Sequence, residues 1–363
     1  MQGTLSILEE LIRIPSYVGN GCDEVRIADA IVARLSGLPE RWRVTEQAVE
    51  GNRRNVYVSN GDDPEILLTA HLDTVPPSDA WIRDPFVPTR EGTRLYGLGA
   101  VDMKAGAAAI LSALERNADT GKKIAALFYV GEEYDFCGMR AFAAQATIAP
   151  RLIVNPEPTD LLVYRGCRGV LEVRFSVEGR AAHAAMGRDG VNAITVTARA
   201  VEDLTRTLAA LPDEGLGVST VNLAWLRGGL PTNGEVIAAG NVVPPFAEAV
   251  VEVRVANLGA NDAFVRSVLA GSIERDGARL ASFATAFQVG PMIGPSAGRT
   301  SFDLFQNGDP KATGYFDTQL FVAARGGAPI VCGPGPSTVA HQADEYVELA
   351  DLERLDEALG ELF

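Results

Sequence analysis

The chain has 363 residues, of which 47% are hydrophobic and 22% charged, and its net charge is −15. At roughly 100–200 residues per domain, this length predicts two domains of an ordinary globular protein. The acidic balance argues against nucleic acid and membranes as partners. No apolar run approaches the ~18 residues of a membrane span. The amphipathic N-terminus lacks the features of a signal peptide, so we expect a cytoplasmic location.

The first part of the chain alternates between helical and strand patterns. Apolar residues with helical spacing come first, and an Ala-rich helix follows from about Met103 to Leu114. The short apolar runs that predict buried strands are Asn55–Val58, Ile66–Thr69, Ile124–Val130 and Leu152–Val154. Short continuous apolar strands that alternate with helices are typical of a mostly parallel sheet covered by helices on both faces.

The pattern changes near Cys167, where residues 171–177 alternate between apolar and polar. This period of two predicts a strand with one exposed face. The predicted elements that follow are a helix at 191–210, strands at 219–226, 235–241 and 249–255, a helix at 262–275 and a strand at 280–288. Their β-α-β-β-α-β order is that of ferredoxin-like domains. We therefore predict an α/β protein in which residues 167–288 form an inserted ferredoxin-like α+β domain, and residues 1–166 and 289–363 form the larger domain.

Cysteine and histidine are both scarce in this chain. The four cysteines are scattered and include no CxxC pair, so we expect reduced thiols rather than a zinc-thiolate site or a disulfide framework. The three histidines are His71, His183 and His341, and each lies in a loop-like segment beside small residues or carboxylates. Because all three histidines lie in such segments, we favour a functional role for them over a purely structural one.

Two candidate site segments lie in the first hundred residues or so. His71 and Asp73 follow the strand at 66–70 and leave the same face, which suits a metal-binding imidazole whose second nitrogen is held by a carboxylate. A polar pair that caps a turn is the alternative. Asp102 lies where a glycine-rich loop becomes a helix, as an N-cap aspartate also would. Helix starts beside a sheet edge are, however, common sites in α/β proteins.

Carboxylates also follow two further predicted strands, and a histidine follows a third. Glu132 and Glu133 come directly after the strand at 124–130, where adjacent buried acids are costly without a cation. One of them can bind metal while its neighbour takes a proton, and a solvated turn is the alternative. Glu157 follows the strand at 152–154, and His341 follows the strand at 329–332 through a GPGP turn.

Five of these side chains would converge at the carboxyl edge of one sheet: His71, Asp102, Glu133, Glu157 and His341. Imidazole and carboxylate without thiolate suit zinc, with cobalt or manganese as possible substitutes. Three carboxylates and one hydroxide would neutralise two divalent ions. This charge balance favours a two-metal site over a one-metal site.

These motifs resemble the co-catalytic zinc family of acetylornithine deacetylase, succinyl-diaminopimelate desuccinylase, aminoacylase and the glutamate carboxypeptidases. The resemblance covers almost the whole chain, through HLDTVP, DMKAG, GEE, NPEPT, GRAAH, GPG and AHQADEYV in that order. It implies that the larger domain is the zinc-binding catalytic domain and that residues 167–288 are a dimerisation or lid domain. It also implies a homodimer.

The resemblance further implies the roles of the candidate site residues. Asp102 would bridge two Zn²⁺ ions, with His71 and Glu157 completing one site and Glu133 and His341 the other. Asp73 would orient His71. Glu132 would be the general base that takes a proton from the attacking water and passes it to the leaving amine.

In the inserted domain, the resemblance implies four more roles. His183, in GRAAH, would reach the active site of the partner subunit and stabilise the oxyanion. Arg168, Asn241 and Arg254 would bind the carboxylate of the substrate, although surface charge is the alternative for both arginines. The chain departs from the family pattern at Ala105, a harmless change at a helix start, and in the GYFDTQ segment at 314–319. Because that segment would border the substrate pocket, the acyl group and side-chain preference stay open.

Several activities fit this pattern. The leading hypothesis is metal-dependent hydrolysis of the amide bond of a small N-acyl amino acid, as in acetylornithine deacetylase. A succinyl-diaminopimelate desuccinylase is the near alternative, and a dipeptidase or carboxypeptidase is the third. A non-catalytic metal-binding scaffold is the alternative from another class, but the presence of Glu132 and all five candidate ligands argues against it.

Overall fold

The computed structural model describes residues 2–311 and 314–363. Its α-helices are α1 (Gln2–Ile12), α2 (Val25–Leu35), α3 (Lys104–Arg116), α4 (Cys137–Gln145), α5 (Ala193–Ala209), α6 (Asp262–Arg275), α7 (Thr318–Arg325) and α8 (Leu349–Gly360). Its first strands are β1 (Arg43–Glu50), β2 (Arg53–Ser59), β3 (Ile66–His71), β4 (Thr89–Glu91), β5 (Arg94–Tyr96), β6 (Ile124–Tyr129), β7 (Leu152–Pro158) and β8 (Gly166–Cys167). The remaining strands are β9 (Gly169–Glu178), β10 (Thr220–Thr232), β11 (Glu235–Ile237), β12 (Phe246–Val255), β13 (Arg279–Val289), β14 (Met292–Ile293), β15 (Ala328–Gly333) and β16 (Tyr346–Glu348).

The chain divides into two compact units, which we call the first and the second unit. The first unit contains Met1–Gly166, Gly294–Asp309 and Leu320–Phe363, and the second contains Cys167–Ile293 and Pro310–Gln319. This division differs from the sequence-based one in residues 289–293 and 310–319, which are counted with the second unit.

The first unit is built on a six-stranded mixed sheet with the order β1-β2-β6-β3-β7-β15. Strands β6, β3, β7 and β15 are parallel, and β1 and β2 form an antiparallel edge. The central strands are buried along their whole length, as expected for a sheet covered on both faces. The predicted α/β class with a mostly parallel sheet is therefore confirmed.

Successive side chains along the strands point to opposite faces of the sheet and pack against different helices. Leu68 and Ala126 join the large apolar core that contains the buried faces of α1, α2, α3 and α8. On β2, Val56 and Val58 join the same core, whereas Tyr57 packs against Phe142 of α4, with 5.5 Å between ring centroids. Helices therefore cover both faces of the sheet. The sequence does not predict the edge strand β1, because most of its residues are polar and exposed.

The second unit is a five-stranded antiparallel sheet with the order β11-β10-β12-β9-β13. Its chain order is β9-α5-β10-β11-β12-α6-β13, and the order β10-β12-β9-β13 is that of a ferredoxin-like sheet, with β11 as a short addition. Val173 and Val251 belong to a separate apolar core that contains the buried faces of α5 and α6. The predicted separate antiparallel domain is confirmed, whereas its role in dimerisation stays a prediction.

Within the described residues, none of the helices combines the length and apolar character needed to cross a bilayer.

One close approach fixes the position of α3 against β7. A Cβ atom added to Gly106 of α3 would lie 2.7 Å from Pro156 Cγ and 2.8 Å from Pro156 O. Only glycine therefore lets the helix that follows Asp102 pack this closely on the strand that carries Glu157.

We expect Gly106→Ala to destabilise the first unit by about 1–3 kcal/mol, the range for overpacking, although alanine is the better helix former. Gly3→Ala in α1 is the matched control, because the nearest atom to its added Cβ is Ser112 Oγ at 3.9 Å. The control should be neutral or stabilise by up to about 1 kcal/mol. Denaturant unfolding measures both variants, and equal stabilities would contradict the steric explanation.

Candidate metal centre

The carboxyl ends of three neighbouring parallel strands supply the first candidate side chains. Strand β3 ends at His71, β7 carries Glu157, and β6 leads into the turn with Glu132 and Glu133. Because β3 pairs in parallel with both β6 and β7, these ends lie at the same edge of the sheet. This is the edge at which α/β proteins bind ligands.

Asp102 lies between two imidazole rings. Its Oδ1 is 3.0 Å from His71 Nε2, and its Oδ2 is 3.4 Å from His341 Nε2. Glu157 Oε1 is 3.8 Å from His71 Nε2, and Glu133 Oε1 is 2.9 Å from His341 Nε2. The structure thus brings all five predicted ligands together, with one carboxylate oxygen of Asp102 facing each histidine.

The ring of His71 is oriented by its other nitrogen. His71 Nδ1 lies 3.0 Å from the backbone oxygen of Asp73 and 3.6 Å from Asp73 Oδ1. If Nδ1–H donates to the Asp73 carbonyl, the lone pair of Nε2 points toward the carboxylates of Asp102 and Glu157. This is the tautomer that a metal-binding histidine needs.

The spacing of these groups fits metal ions of zinc size. In a tetrahedral site with bonds of ~2.0–2.1 Å, neighbouring ligand atoms lie about 3.4 Å apart. The four imidazole–carboxylate distances range from 2.9 to 3.8 Å. Ligand atoms of His71, Asp102 and Glu133 also lie within 4.8 Å of one another. The spacing of the donor atoms is therefore compatible with metal ions of zinc size.

The electrostatics of the cluster also favour cations. Burial raises the pKa of Glu133, whereas the hydrogen bond from His341 opposes this effect. Hydrogen bonds to Asp102 and Glu133 raise the pKa of His341 to about 10. Burial disfavours the charged ring of His71, yet Glu157 and Asp102 raise its pKa well above the ordinary value. The carboxylates therefore attract positive charge, which protons on the rings or metal ions can supply.

Asp73 holds the turn after β6. Its Oδ1 accepts a hydrogen bond from the backbone N–H of Glu132 (3.1 Å), and its Oδ2 accepts one from that of Glu133 (2.8 Å). Asp73 is almost fully buried. The sequence predicts only that Asp73 orients His71, and the hydrogen bonds to the turn are an additional feature.

Glu345 fixes the loop that carries Asp102 and is absent from the residues predicted from the sequence. Its carboxylate accepts hydrogen bonds from the backbone N–H groups of Gly99 (3.1 Å), Val101 (2.8 Å) and Asp102 (2.9 Å). Burial and the nearby charge of Asp102 raise its pKa to about 7. Glu345 lies inside the AHQADEYV motif, four residues after His341, so the motif marks the segment but not this role.

The remaining candidates lie in the second unit, where two of them are neighbours. Ala184 N donates to Asn241 O (2.8 Å), and His183 forms an isolated antiparallel bridge with Val242. His183 Nδ1 accepts a hydrogen bond from Ala185 N at 3.1 Å. The side chain of His183 is exposed.

The two predicted substrate-binding arginines lie at one end of the sheet of the second unit. Val255, next to Arg254, pairs with Gly169, next to Arg168. Arg254 Nε donates to Glu252 Oε1 (2.9 Å), and Arg168 donates to Lys311 O (2.6 Å).

The GYFDTQ segment approaches the same end of this sheet. The Arg254 guanidinium lies 5.8 Å from the centroid of the Tyr315 ring, and Phe287 lies 5.9 Å from the same ring. The unusual segment therefore borders one of the predicted substrate-binding residues.

Residues 67–363 match the model of peptidase family M20/M25/M40. The chain belongs to this family. A probable carboxypeptidase from Aspergillus clavatus is 32% identical over 98% of this chain and 80% of its own length. The acetylornithine deacetylase of Buchnera aphidicola is 27% identical over 95% of this chain and 93% of its own length. The predicted family resemblance and the assignment as an enzyme are confirmed, and the chain is a hydrolase of this metallopeptidase family.

Solved structures agree with this fold. Aminopeptidase PepT from Bacillus cereus superposes with a TM-score of 0.73 and 17% identity, covering 99% of this chain and 97% of its own. The YXEP protein of Bacillus subtilis, described as a dinuclear metal-binding peptidase of the M20 family, gives a TM-score of 0.69 and 16% identity, covering 99% and 96%.

We expect zinc binding to release protons. With its pKa raised to about 10, His341 is protonated in the metal-free protein at neutral pH, and metal binding requires the neutral ring. The pKa of His71 is also raised well above its ordinary value. The apparent affinity should therefore rise with pH, by about tenfold per unit for each proton released. Calorimetry of Zn²⁺ binding at pH 7 in buffers of different ionisation enthalpy measures this release, which should approach two protons for two ions.

His341→Ala should release one proton fewer than the wild-type protein. His183→Ala is the control, because it removes the third histidine from the second unit and should leave proton release unchanged. Binding heats that are the same in every buffer would contradict protonated histidines in the metal-free centre.

Proposed function

We propose that this protein hydrolyses the amide bond of a small N-acyl amino acid with the help of two zinc ions, as an acetylornithine deacetylase does. The observation that carries this proposal is the position of Asp102 between His71 and His341, with Glu157 and Glu133 beside them. Membership of the M20/M25/M40 family supports hydrolysis as the reaction class. The acetylornithine deacetylase of Buchnera aphidicola supports the substrate class.

In this proposal, His71 and Glu157 would hold one ion, Glu133 and His341 would hold the other, and Asp102 would bind both. When bound, such ions polarise the scissile carbonyl group and make water a better nucleophile at neutral pH. Five ligands with three carboxylates balance most of the charge of two divalent cations. Co²⁺ and Mn²⁺ are chemically suitable substitutes for Zn²⁺.

Glu132 is the proposed general base. It is the immediate neighbour of Glu133, and the carboxylate of Asp73 accepts hydrogen bonds from the backbone N–H groups of both residues. Glu132 takes a proton from the attacking water and later gives it to the nitrogen of the leaving amine, so the proton is returned within one cycle.

The substrate carboxylate is the proposed ligand of the second unit. Arg168 and Arg254 lie at adjacent strand ends, and Asn241 belongs to the loop hydrogen-bonded to the His183 segment. A guanidinium group can form two parallel hydrogen bonds with a carboxylate. The side chain of Arg254 already contacts Glu252, so binding would require that Arg254 exchange or share this partner.

Release of the C-terminal residue from a short peptide is the second candidate. It is favoured by the 32% identity to the probable carboxypeptidase of Aspergillus clavatus, a relative matched along 98% of the chain. Both candidate substrates carry a free carboxylate next to the scissile amide. A panel of acetyl-, succinyl- and glutamyl-linked amino acids and short peptides, tested on zinc-loaded protein, separates the two. A kcat/KM that is highest for peptides would replace the N-acyl proposal with the carboxypeptidase one.

We expect Glu132→Gln to lower kcat by about 10²–10⁴-fold, the usual contribution of a general base. Its zinc content should stay at the wild-type level, because the proposal does not use Glu132 as a ligand. Glu133→Gln is the comparison and should lose both activity and about one equivalent of zinc. Steady-state kinetics and elemental analysis measure these effects. A Glu132→Gln variant with wild-type kcat would remove this residue from the base role.

We also propose a homodimer in which His183 stabilises the oxyanion in the active site of the partner subunit. The exposure of His183 and its position in a loop of the second unit support this role. Mixing inactive His183→Ala and Glu132→Gln proteins should restore about one quarter of wild-type activity, because random exchange makes half of the dimers mixed, with one complete site each. Activity that does not rise on mixing, although sedimentation shows exchanged dimers, would rule out the contribution in trans.

A further inference from the structure

Two buried carboxylates hold three consecutive backbone amides of the turn that follows β6. Gly131 N donates to Glu24 Oε1 at 3.1 Å. The next two amides, those of Glu132 and Glu133, donate to Asp73 at 3.1 and 2.8 Å. The turn that carries the proposed base and one proposed ligand is therefore anchored through its main chain from two sides.

Glu24 is fully buried at the start of α2 and is bound by both arms of a guanidinium group. Its Oε1 accepts from an Arg53 terminal nitrogen at 2.6 Å, and its Oε2 accepts from Arg53 Nε at 2.8 Å. Arg53 is the first residue of β2, and only 12% of its side chain is exposed. Such a two-pronged pair fixes the direction of a carboxylate as well as its charge.

The ion pair is needed because Glu24 is buried near a second negative charge. Burial and the charge of Asp73 favour the neutral form of Glu24, whereas Arg53 favours the carboxylate. A buried carboxylate without a partner would be strongly destabilising. The net effect is a raised pKa of Glu24, and Arg53 limits this rise. The two-pronged contact with Arg53 favours the carboxylate form, which is the stronger hydrogen-bond acceptor for the Gly131 amide.

The turn packs directly on this ion pair. Gly131 has φ +78°, and a Cβ atom added to it would lie 2.6 Å from Cys137 Sγ and 2.9 Å from a terminal nitrogen of Arg53. Neither the backbone conformation nor the space tolerates a side chain at this position. The guanidinium group of Arg53 thus lies against the main chain of the turn while it also binds Glu24.

We propose that Glu24, paired with Arg53, is a positioning residue that works with Asp73 to set the orientation of residues 131–133. This inference rests on the proposed roles of Glu132 and Glu133. It adds that loss of the Glu24–Arg53 pair makes the turn less rigid and so weakens both roles. In this proposal, neither Glu24 nor Arg53 contacts the metals or the substrate.

The first test compares Glu24→Gln with the zinc-loaded wild-type protein. Glutamine keeps the shape and one acceptor oxygen but cannot form the two-pronged ion pair. We expect hydrogen–deuterium exchange in peptides that cover residues 131–133 to quicken at least tenfold. Zn²⁺ affinity, measured by competition with a chromogenic chelator, should fall by about tenfold, the lower end of the range for direct partners of metal ligands, because Glu24 acts on Glu133 only through the turn. The kcat should fall by a similar factor, while KM changes less than about threefold.

The matched control is Glu115→Gln. Glu115 forms the same two-pronged pair with Arg34 (3.0 and 3.1 Å), but this pair is partly exposed and joins α3 to α2. In the Glu115→Gln control, hydrogen–deuterium exchange at the turn, Zn²⁺ affinity and kcat should stay within twofold of the wild-type values. Exchange and Zn²⁺ affinity need no substrate, so they test this inference even if none of the tested amides is hydrolysed.

A lower melting temperature of Glu24→Gln, with wild-type exchange at the turn, Zn²⁺ affinity and kcat, would show a purely structural pair and overturn the proposal. If Glu24→Gln does not fold, Arg53→Lys gives the decisive measurement, because lysine keeps the charge but only one contact. Faster exchange confined to the turn of Arg53→Lys supports the proposal, and wild-type exchange there overturns it.

Discussion

The proposed metal centre depends on one electrostatic constraint. Its carboxylates lie together at the edge of an apolar sheet, where negative charge is energetically unfavourable. Asp102, Glu133 and Glu157 meet there with little exposure to water, and most of the buried side chains on the nearby strands are apolar. Three carboxylates in such a place repel one another and lose hydration. Two imidazoles offset part of this charge only when they are protonated. Binding of divalent cations resolves the conflict, and it links the electrostatics of the fold to the proposed hydrolysis.

A second set of buried carboxylates binds the main chain of the segments that carry the proposed ligands. Asp73 and Glu24 accept the amides of residues 131–133, while Glu345 accepts three amides of the loop that ends at Asp102. These carboxylates place the backbone, so that the ligand side chains start from fixed positions. Direct partners of metal ligands contribute strongly to such sites.

The sequence indicated which side chains gather at this edge of the sheet but not which groups hold their backbone, and the reason is physical. His71, Glu133 and Glu157 follow apolar strands, and this succession of patterns is visible in the sequence. The partners of Glu24 are a side chain at residue 53 and an amide at residue 131, and nothing local in the sequence signals either contact. The strand β1 was missed for a related reason: its residues are mostly exposed, so it lacks the apolar run by which β3 and β6 were recognised.

The pairing of β15 with β7 has a consequence for biosynthesis. These strands are adjacent in the sheet, yet one ends at Pro158 and the other begins at Ala328. On the ribosome, the edge of β7 stays without its neighbour until the whole second unit has been translated, and an unpaired edge can join the wrong chain. His341 emerges later still. The nascent protein therefore acquires the complete set of proposed ligands only after the second unit and residue 341 have been translated, so metal capture by the full centre cannot guide the folding of the earlier segments.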